Sequence, residues 1–187
     1  MKTAFQIFIL LFVTQFGCAQ KQSNKVETKK KLNAQDSTRF VKYIDKVGEF
    51  PLFSMKRQQY LDSALSIVPR AAYLWQQKAM PLFKQKKYET GMPYLDSAVK
   101  YDKKNNWLQY RAFIKCIFQK SYREAINDFD LVQKVNGNSY VMDHSYEFYK
   151  GLCYLQLNKF DSAEYLISKC ITEERKARGE SWIHNLH

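Results

Sequence analysis

Glycine and proline are scarce in this chain, whose 187 residues include six Gly and four Pro. Tight turns between short strands depend on those backbones, so the shortage argues against a domain built from many short strands. Histidine is also rare, with three residues, and no glycine-rich segment is present that would cradle a phosphate. Hydrophobic residues nevertheless make up 45% of the chain and aromatic residues 16%. This composition excludes global disorder and predicts one compact helical domain.

The segment 1–17 is typical of a bacterial signal peptide. Lys2 gives a positive start, and an almost continuous apolar run over 4–13 is too short to span a membrane. The segment Gln15-Phe16-Gly17-Cys18 resembles the bacterial lipoprotein box, which implies cleavage before Cys18 and lipidation of its thiol. Ordinary cleavage after Ala19 is the alternative, and lipidation is the favoured one.

Residues 18–36 predict a flexible basic tether between this anchor and the folded domain. The formal net charge is +12, and residues 18–32 carry +4 of it, from five Lys against Glu27. Basicity of this size often indicates nucleic-acid binding. Export from the cytoplasm disfavours that partner, so we expect an outer-membrane lipoprotein that faces the periplasm, held by its lipid.

Two sequence markers repeat at a regular interval. The segment 60–65, Tyr-Leu-Asp-Ser-Ala-Leu, recurs at 94–99 as Tyr-Leu-Asp-Ser-Ala-Val. A second marker, Lys86-Lys87-Tyr88, recurs at the same interval as Lys120-Ser121-Tyr122, and its third copy, Asn158-Lys159-Phe160, follows after a slightly wider one. A fixed interval of about 34 residues indicates an array of helix pairs. The chain therefore resembles tetratricopeptide repeat (TPR) proteins.

This resemblance implies an all-α fold, a right-handed superhelix of antiparallel helix pairs with three to four repeats. We expect units at about 37–70, 71–104, 105–138 and 144–177, followed by a C-terminal cap over 178–187 in which Trp182 and Leu186 pack back on the last unit. Pro81 falls inside a predicted helix and should kink it. In the four-residue insertion before the last unit, we expect Tyr140 and Met142 to pack against neighbouring helices. The alternative is that this insertion forms a loop that contacts the partner.

In TPR arrays the concave groove is lined by the first helix of each pair and commonly holds an extended peptide or a partner helix. Projecting the repeat onto this chain predicts a set of groove residues: Tyr73, Gln76, Met80, Phe83, Lys84, Trp107, Tyr110, Arg111, Ile114 and Phe148. The alternative for each aromatic residue is packing between units. The turns also predict a basic edge of Lys86, Lys87, Lys120 and Lys159, which would face anionic lipid or an acidic partner, or simply solvent.

Nothing in the sequence supports catalysis. Cys116 and Cys153 lie on neighbouring first helices and could meet, although we expect both, with Cys170, to be small buried core residues. His184 and His187 are close in sequence but lack a third ligand, so no metal site is predicted. We therefore expect no cofactor, no catalytic residue and no enzymatic activity.

The predicted function is that of a non-catalytic adaptor or scaffold in the bacterial cell envelope, which binds an unidentified protein partner. Two alternatives stay open. The first is an accessory ligand- or glycan-binding lipoprotein in nutrient uptake. The second is an immunity or inhibitor protein directed against a toxin.

Overall fold

The computed structural model describes residues 32–102, 104 and 106–178. This part of the chain is mostly helical with little strand, which confirms the all-α class. Its helices are α1 (Ala34–Glu49), α2 (Met55–Ile67), α3 (Ala72–Lys84), α4 (Tyr88–Tyr101), α5 (Asn106–Ile114), α6 (Tyr122–Asn136), α7 (Tyr146–Gln156) and α8 (Phe160–Arg178). A π-helical segment (Lys115–Gln119) continues α5, and a short hairpin is formed by β1 (Tyr140–Val141) and β2 (His144–Ser145).

Consecutive helices associate in pairs. The most extensive contacts join α3 to α4, α7 to α8, α1 to α2 and α5 to α6. Because short loops connect the two members of each pair, the members run antiparallel. The first pair begins earlier than position 37, since the side chain of Asn33 accepts a hydrogen bond from the backbone N–H of Asp36 at 2.7 Å and caps α1.

The second sequence marker lies at the turn inside three of the pairs. Its first residue has a left-handed backbone in each case, with φ of 61° at Lys86, 61° at Lys120 and 58° at Asn158. The following backbone N–H then closes the helix end: Lys87 donates to Leu82 O at 2.9 Å and Lys159 donates to Tyr154 O at 2.9 Å. The three turns therefore have the same backbone conformation at this residue.

The turn after α5 differs by one residue. Ser121 N donates to Lys115 O at 3.0 Å, so this closing bond reaches one position further back along the chain than the other two. The π-helical segment absorbs the extra residue, as such segments do when a residue is inserted into a helix. The interval between the buried Ala79 of α3 and Ala112 of α5 is accordingly one position shorter than the interval between Lys86 and Lys120.

The buried residues form three hydrophobic clusters. The N-terminal cluster is centred on Leu61 and Leu65, the middle cluster on Leu95 and Phe83, and the C-terminal cluster includes Phe129. Two aromatic residues each pack against two clusters: Trp75 contacts the N-terminal and middle ones, and Phe113 the middle and C-terminal ones. The core therefore extends along the described helices as linked segments.

The insertion before α7 forms the hairpin, in which Val141 pairs with His144. The expectation for Met142 is wrong, since it is 56% exposed, while Val141 is 6% exposed. Tyr140 is 49% exposed, but its hydroxyl donates a hydrogen bond to Glu174 of α8, so it does contact a neighbouring helix. Neighbouring side chains on a strand alternate between its faces, so burial of Val141 turns both of its neighbours outward. Met142 also occupies the turn, with φ of 52°.

Pro81, the residue expected to kink its helix, lies inside α3, and α3 runs without a break from Ala72 to Lys84. α4 also contains a proline, Pro93. None of the helices in the described ranges combines the length and the apolar character needed to cross a membrane. The expected cap residues Trp182 and Leu186 lie outside the described residues, as does Cys18, the expected lipidation residue.

Candidate partner-binding surface

The groove residues expected on α3 separate into exposed and buried side chains. Tyr73 is 60% exposed, Lys84 is exposed and Met80 is half-buried. Gln76 and Phe83 are each 7% exposed and belong to the packing of the protein rather than to a surface. These two residues are therefore buried and do not line a groove, because the face of α3 that carries them is covered.

Aromatic side chains of α5 extend the exposed part of α3. The rings of Tyr73 and Trp107 lie 6.5 Å apart, and those of Trp107 and Tyr110 lie 6.2 Å apart in an edge-on arrangement. The hydroxyl of Tyr110 donates to Met80 Sδ at 3.5 Å. A tyrosine hydroxyl is a donor at neutral pH, and burial raises the pKa of Tyr110 further above its ordinary value. We call Tyr73, Met80, Trp107 and Tyr110 the aromatic strip.

Arg111 does not join the strip, because carboxylates on the second helices hold its guanidinium. Its Nε and Nη2 donate to the two carboxylate oxygens of Asp128 at 2.8 and 2.7 Å, and Nη1 donates to Asp96 at 2.7 Å. Burial lowers the pKa of Arg111, but the bonds and charges of Asp128 and Asp96 outweigh that effect and raise it. Lys115 Nζ also contacts Asp128 at 2.8 Å. Arg111 therefore has a stabilising role between helices.

Ile114 is 3% exposed and packs in the middle cluster, so it too is corrected from surface to core. The one-residue insertion explains why the projection onto α5 is displaced. Counted from Ala79 and Ala112, the equivalents of Tyr73 and Met80 are Asn106 and Phe113. A constant repeat interval instead selects the next residues along the chain, Trp107 and Ile114.

Sequence reasoning missed an ion pair that recurs between consecutive pairs of helices. Lys78 of α3 bonds Asp62 of α2, as Arg111 of α5 bonds Asp96 of α4. Asp62 and Asp96 are the third residues of the two copies of the first marker. The repeated Asp can be seen in the sequence. Its cationic partners, Lys78 and Arg111, become equivalent only when α5 is aligned to α3 at their buried alanines.

Phe148 lies half-buried on α7. Its ring is 4.1 Å from that of His144 on the hairpin and 5.9 Å from that of Tyr149. Tyr149 in turn contacts Phe113, with the two ring centroids 5.5 Å apart. Phe148 is therefore not a member of the aromatic strip. Packed rings link it to the strip indirectly, through Tyr149 and Phe113.

The four lysines of the expected basic edge are all exposed and lie at the turns inside three helix pairs. Lys86 and Lys120 have the left-handed backbone described above, and Lys87 follows directly. The Nζ of Lys159 lies 5.7 Å from the ring centroid of Tyr154. What these lysines contact outside the chain stays a prediction.

The thiols of Cys116 and Cys153 meet, with their Sγ atoms 3.3 Å apart, and both are buried. Cys170 is also buried, and its Sγ lies 3.5 Å from Ser145 Oγ. Burial of all three is as expected. The histidine pair, His184 and His187, lies outside the described residues, and within the described ones no group of three or more His, Cys, Asp or Glu is placed to hold a metal ion. The chain shows no significant match to any family model, curated protein or solved structure.

Proposed function

We propose that the protein is a TPR-type array whose function is to bind another protein of the bacterial envelope without catalysis. The equivalent turns at Lys86, Lys120 and Asn158 support the repeat interpretation. The ion pairs of Asp62 with Lys78 and of Asp96 with Arg111 support it further, because they join successive helix pairs in the same way. Stacked units of this kind present extended surfaces suited to a peptide or a helix.

One observation carries the binding role: the aromatic strip brings partly exposed side chains of two successive first helices together. Tyr73 and Trp107 contact each other across α3 and α5, and Tyr73 stays 60% exposed. Tyr and Trp are among the residues on which protein interfaces depend most. Lys84 is exposed one helical turn after Met80, at the end of α3. The occupant we propose is a peptide segment or helix of a partner protein.

Affinity capture with the full chain from envelope extracts, followed by mass spectrometry, would identify the partner. Binding of the purified partner is then measured by calorimetry for Tyr73→Ala and Tyr110→Ala. We expect about tenfold or greater weakening in each, since removing a central aromatic contact typically costs about 1–2 kcal/mol or more.

The matched control is Val135→Ala on α6, which removes a 67% exposed apolar side chain outside the strip. It should leave the affinity unchanged. Equal affinities for the wild type, Tyr73→Ala and Tyr110→Ala would refute the strip as the binding site, whatever partner had been captured.

The proposed location rests on lipidation of Cys18 and is tested separately. Lipidation keeps Cys18 and Ala19 in the mature chain, whereas cleavage after Ala19 leaves Gln20 first. The intact mass of the mature protein therefore distinguishes the two routes.

We expect Cys18→Ala to release the protein from the membrane fraction after a high-salt wash, which removes binding through the lysines of the tether. Cys170→Ala is the control and should stay membrane-bound. A wild-type mature chain that starts at Gln20 would contradict the lipid anchor.

A further inference from the structure

The thiols of Cys116 and Cys153 lie close enough to bond. Cys153 Sγ donates a hydrogen bond to Cys116 Sγ over 3.3 Å, and the side chains are 0% and 4% exposed, respectively. A disulfide bond is about 2.05 Å long, so the two sulfurs need to approach by roughly 1.3 Å. A shift of that size is within reach of small side-chain rotations.

The π-helical segment contains one of the two cysteines. Cys116 is its second residue, and counted from Ala79 and Ala112 it corresponds to Phe83 of α3, a buried core position. Cys153 faces it from α7. The third thiol is engaged elsewhere, since Cys170 Sγ lies beside Ser145 Oγ at 3.5 Å. Among the three cysteines that the structure describes, the fold therefore selects one pair.

We propose that Cys116 and Cys153 form an intramolecular disulfide that links the π-helical segment to α7. This goes beyond the proposed binding function and does not depend on it. The bond would join two successive first helices that belong to different helix pairs. The two cysteines are 37 residues apart, so the bond would also close a long loop of the unfolded chain.

The chemistry is thiol–disulfide exchange with an external disulfide, of the glutathione or oxidoreductase class. The thiolate of Cys116 attacks one sulfur of the external disulfide, which forms a mixed disulfide and releases one thiol. Cys153 then loses its proton and attacks the Cys116 sulfur, which releases the second thiol. The protein loses two hydrogens and two electrons in total, and the external disulfide gains them.

The order of attack follows from the hydrogen bond between the two thiols. The S–H of Cys153 stabilises the thiolate of Cys116, which lowers the pKa of Cys116 and, together with burial, raises that of Cys153. Because both sulfurs are buried in the folded protein, the external disulfide reaches Cys116 through a local opening in which the two thiols stay neighbours. Once α7 is packed, the bond is shielded from reductants.

Trypsin separates every cysteine onto its own peptide, which makes the test direct. Cleavage after Lys and Arg leaves Cys18 in 3–21, Cys116 in 116–120, Cys153 in 151–159 and Cys170 in 170–175. The purified full chain is reduced, unfolded and refolded with glutathione disulfide or, in parallel, with reduced glutathione. Remaining thiols are alkylated before digestion and mass spectrometry under non-reducing conditions.

We expect peptide 116–120 linked to 151–159 after oxidative refolding, with Cys170 alkylated. Alkylation of both Cys116 and Cys153 in the oxidised sample would overturn the proposal. So would linkage of either one to Cys170, or glutathione left on Cys116, since each would show that the pair does not close.

The melting temperature is an independent readout. The oxidised protein should melt about 5–15 °C above the reduced protein, because the bond restricts the unfolded chain. Each variant is compared with itself under the two conditions, so a general loss of stability does not confuse the result. Cys116→Ala and Cys153→Ala should abolish the shift, and Cys170→Ala should keep it. A shift that persists in Cys116→Ala would also overturn the proposal.

Discussion

Asp128 is the residue on which two cations of the preceding first helix converge. Its carboxylate accepts two hydrogen bonds from Arg111 and one from Lys115, while its own side chain is 5% exposed. Removing one partner of a buried ion pair leaves an uncompensated charge in the interior. This costs far more stability than the intact pair gains over apolar residues packed in its place. Asp96 contacts the same guanidinium from a side chain that is 51% exposed. The two carboxylates therefore differ in burial while sharing one partner.

We expect Asp128→Ala to lower the free energy of unfolding by about 3–5 kcal/mol, because Arg111 and Lys115 would lose their buried counter-charge. Asp96→Ala is the control and should cost about 1 kcal/mol or less, as exposed pairs do. Urea unfolding followed by circular dichroism measures both values. Losses of equal size in the two variants would contradict the importance of burial at Asp128.

Two glycines on helices offer a second comparison at single positions. A Cβ added to Gly91 would lie 2.5 Å from Phe83 Cε1, whereas one added to Gly48 would meet nothing within 4 Å. We expect Gly91→Ala to destabilise the protein by about 1–3 kcal/mol through overpacking. Gly48→Ala should stabilise it by up to about 1 kcal/mol, because Ala favours the helix. The check is the denaturation midpoint, and a destabilised Gly48→Ala would show that α1 needs Gly for another reason.

At the scale of elements, the turns inside the helix pairs carry conformational strain that differs with residue type. Lys120 has φ of 61° and ψ of 27°, a left-handed conformation that Gly adopts freely and that Asn tolerates better than Lys. Asn158 occupies the equivalent turn with φ of 58°. The strain should thus be larger at Lys120.

We expect Lys120→Gly to raise the free energy of unfolding by about 0.5–1 kcal/mol, since the left-handed backbone no longer opposes a side chain. Asn158→Gly should change it by a few tenths of a kcal/mol at most. Thermal unfolding of the two variants and of the wild type measures both changes in stability. Equal gains at both turns would mean that side-chain type does not set the strain.

The markers were sufficient to predict the helix pairs and their turns, because both depend on local residues. Tyr88 and Tyr122 begin α4 and α6 directly after those turns, as the second marker indicates. The π-helical segment could not be predicted, since one inserted residue leaves the apolar pattern nearly unchanged while it displaces α5 by one position from the repeat interval. Burial of Gln76 and the ion pairs of Arg111 likewise depend on neighbouring helices, which a single helix pattern does not contain.

At the scale of the whole domain, stability depends on how the three hydrophobic clusters are joined. In arrays of helix pairs each unit contacts mainly its neighbours, so cooperativity is carried by the residues shared between them. Phe113 packs against both the middle and the C-terminal cluster, and its ring lies 5.5 Å from that of Tyr149. Phe113 is therefore the side chain through which we expect unfolding of one cluster to reach the other.

Phe113→Ala should uncouple these clusters and not merely lower the overall stability. The experiment is urea unfolding in a Trp182→Phe background, so that fluorescence comes from Trp75 and Trp107, which both pack in the middle cluster. Circular dichroism reports all helices at the same time. We expect the two probes to give coincident curves for the background chain and separated midpoints for Phe113→Ala, because a two-state transition requires coupling across the whole domain.

Phe160→Ala in the same background is the control, since that ring is 60% exposed and its removal should leave the curves coincident. If the Phe113→Ala curves shift together to lower urea, the domain unfolds as one unit without this residue. The coupling would then lie in α5 as a whole, which contributes Ile114 to the middle cluster and Leu108 and Ala112 to the C-terminal one.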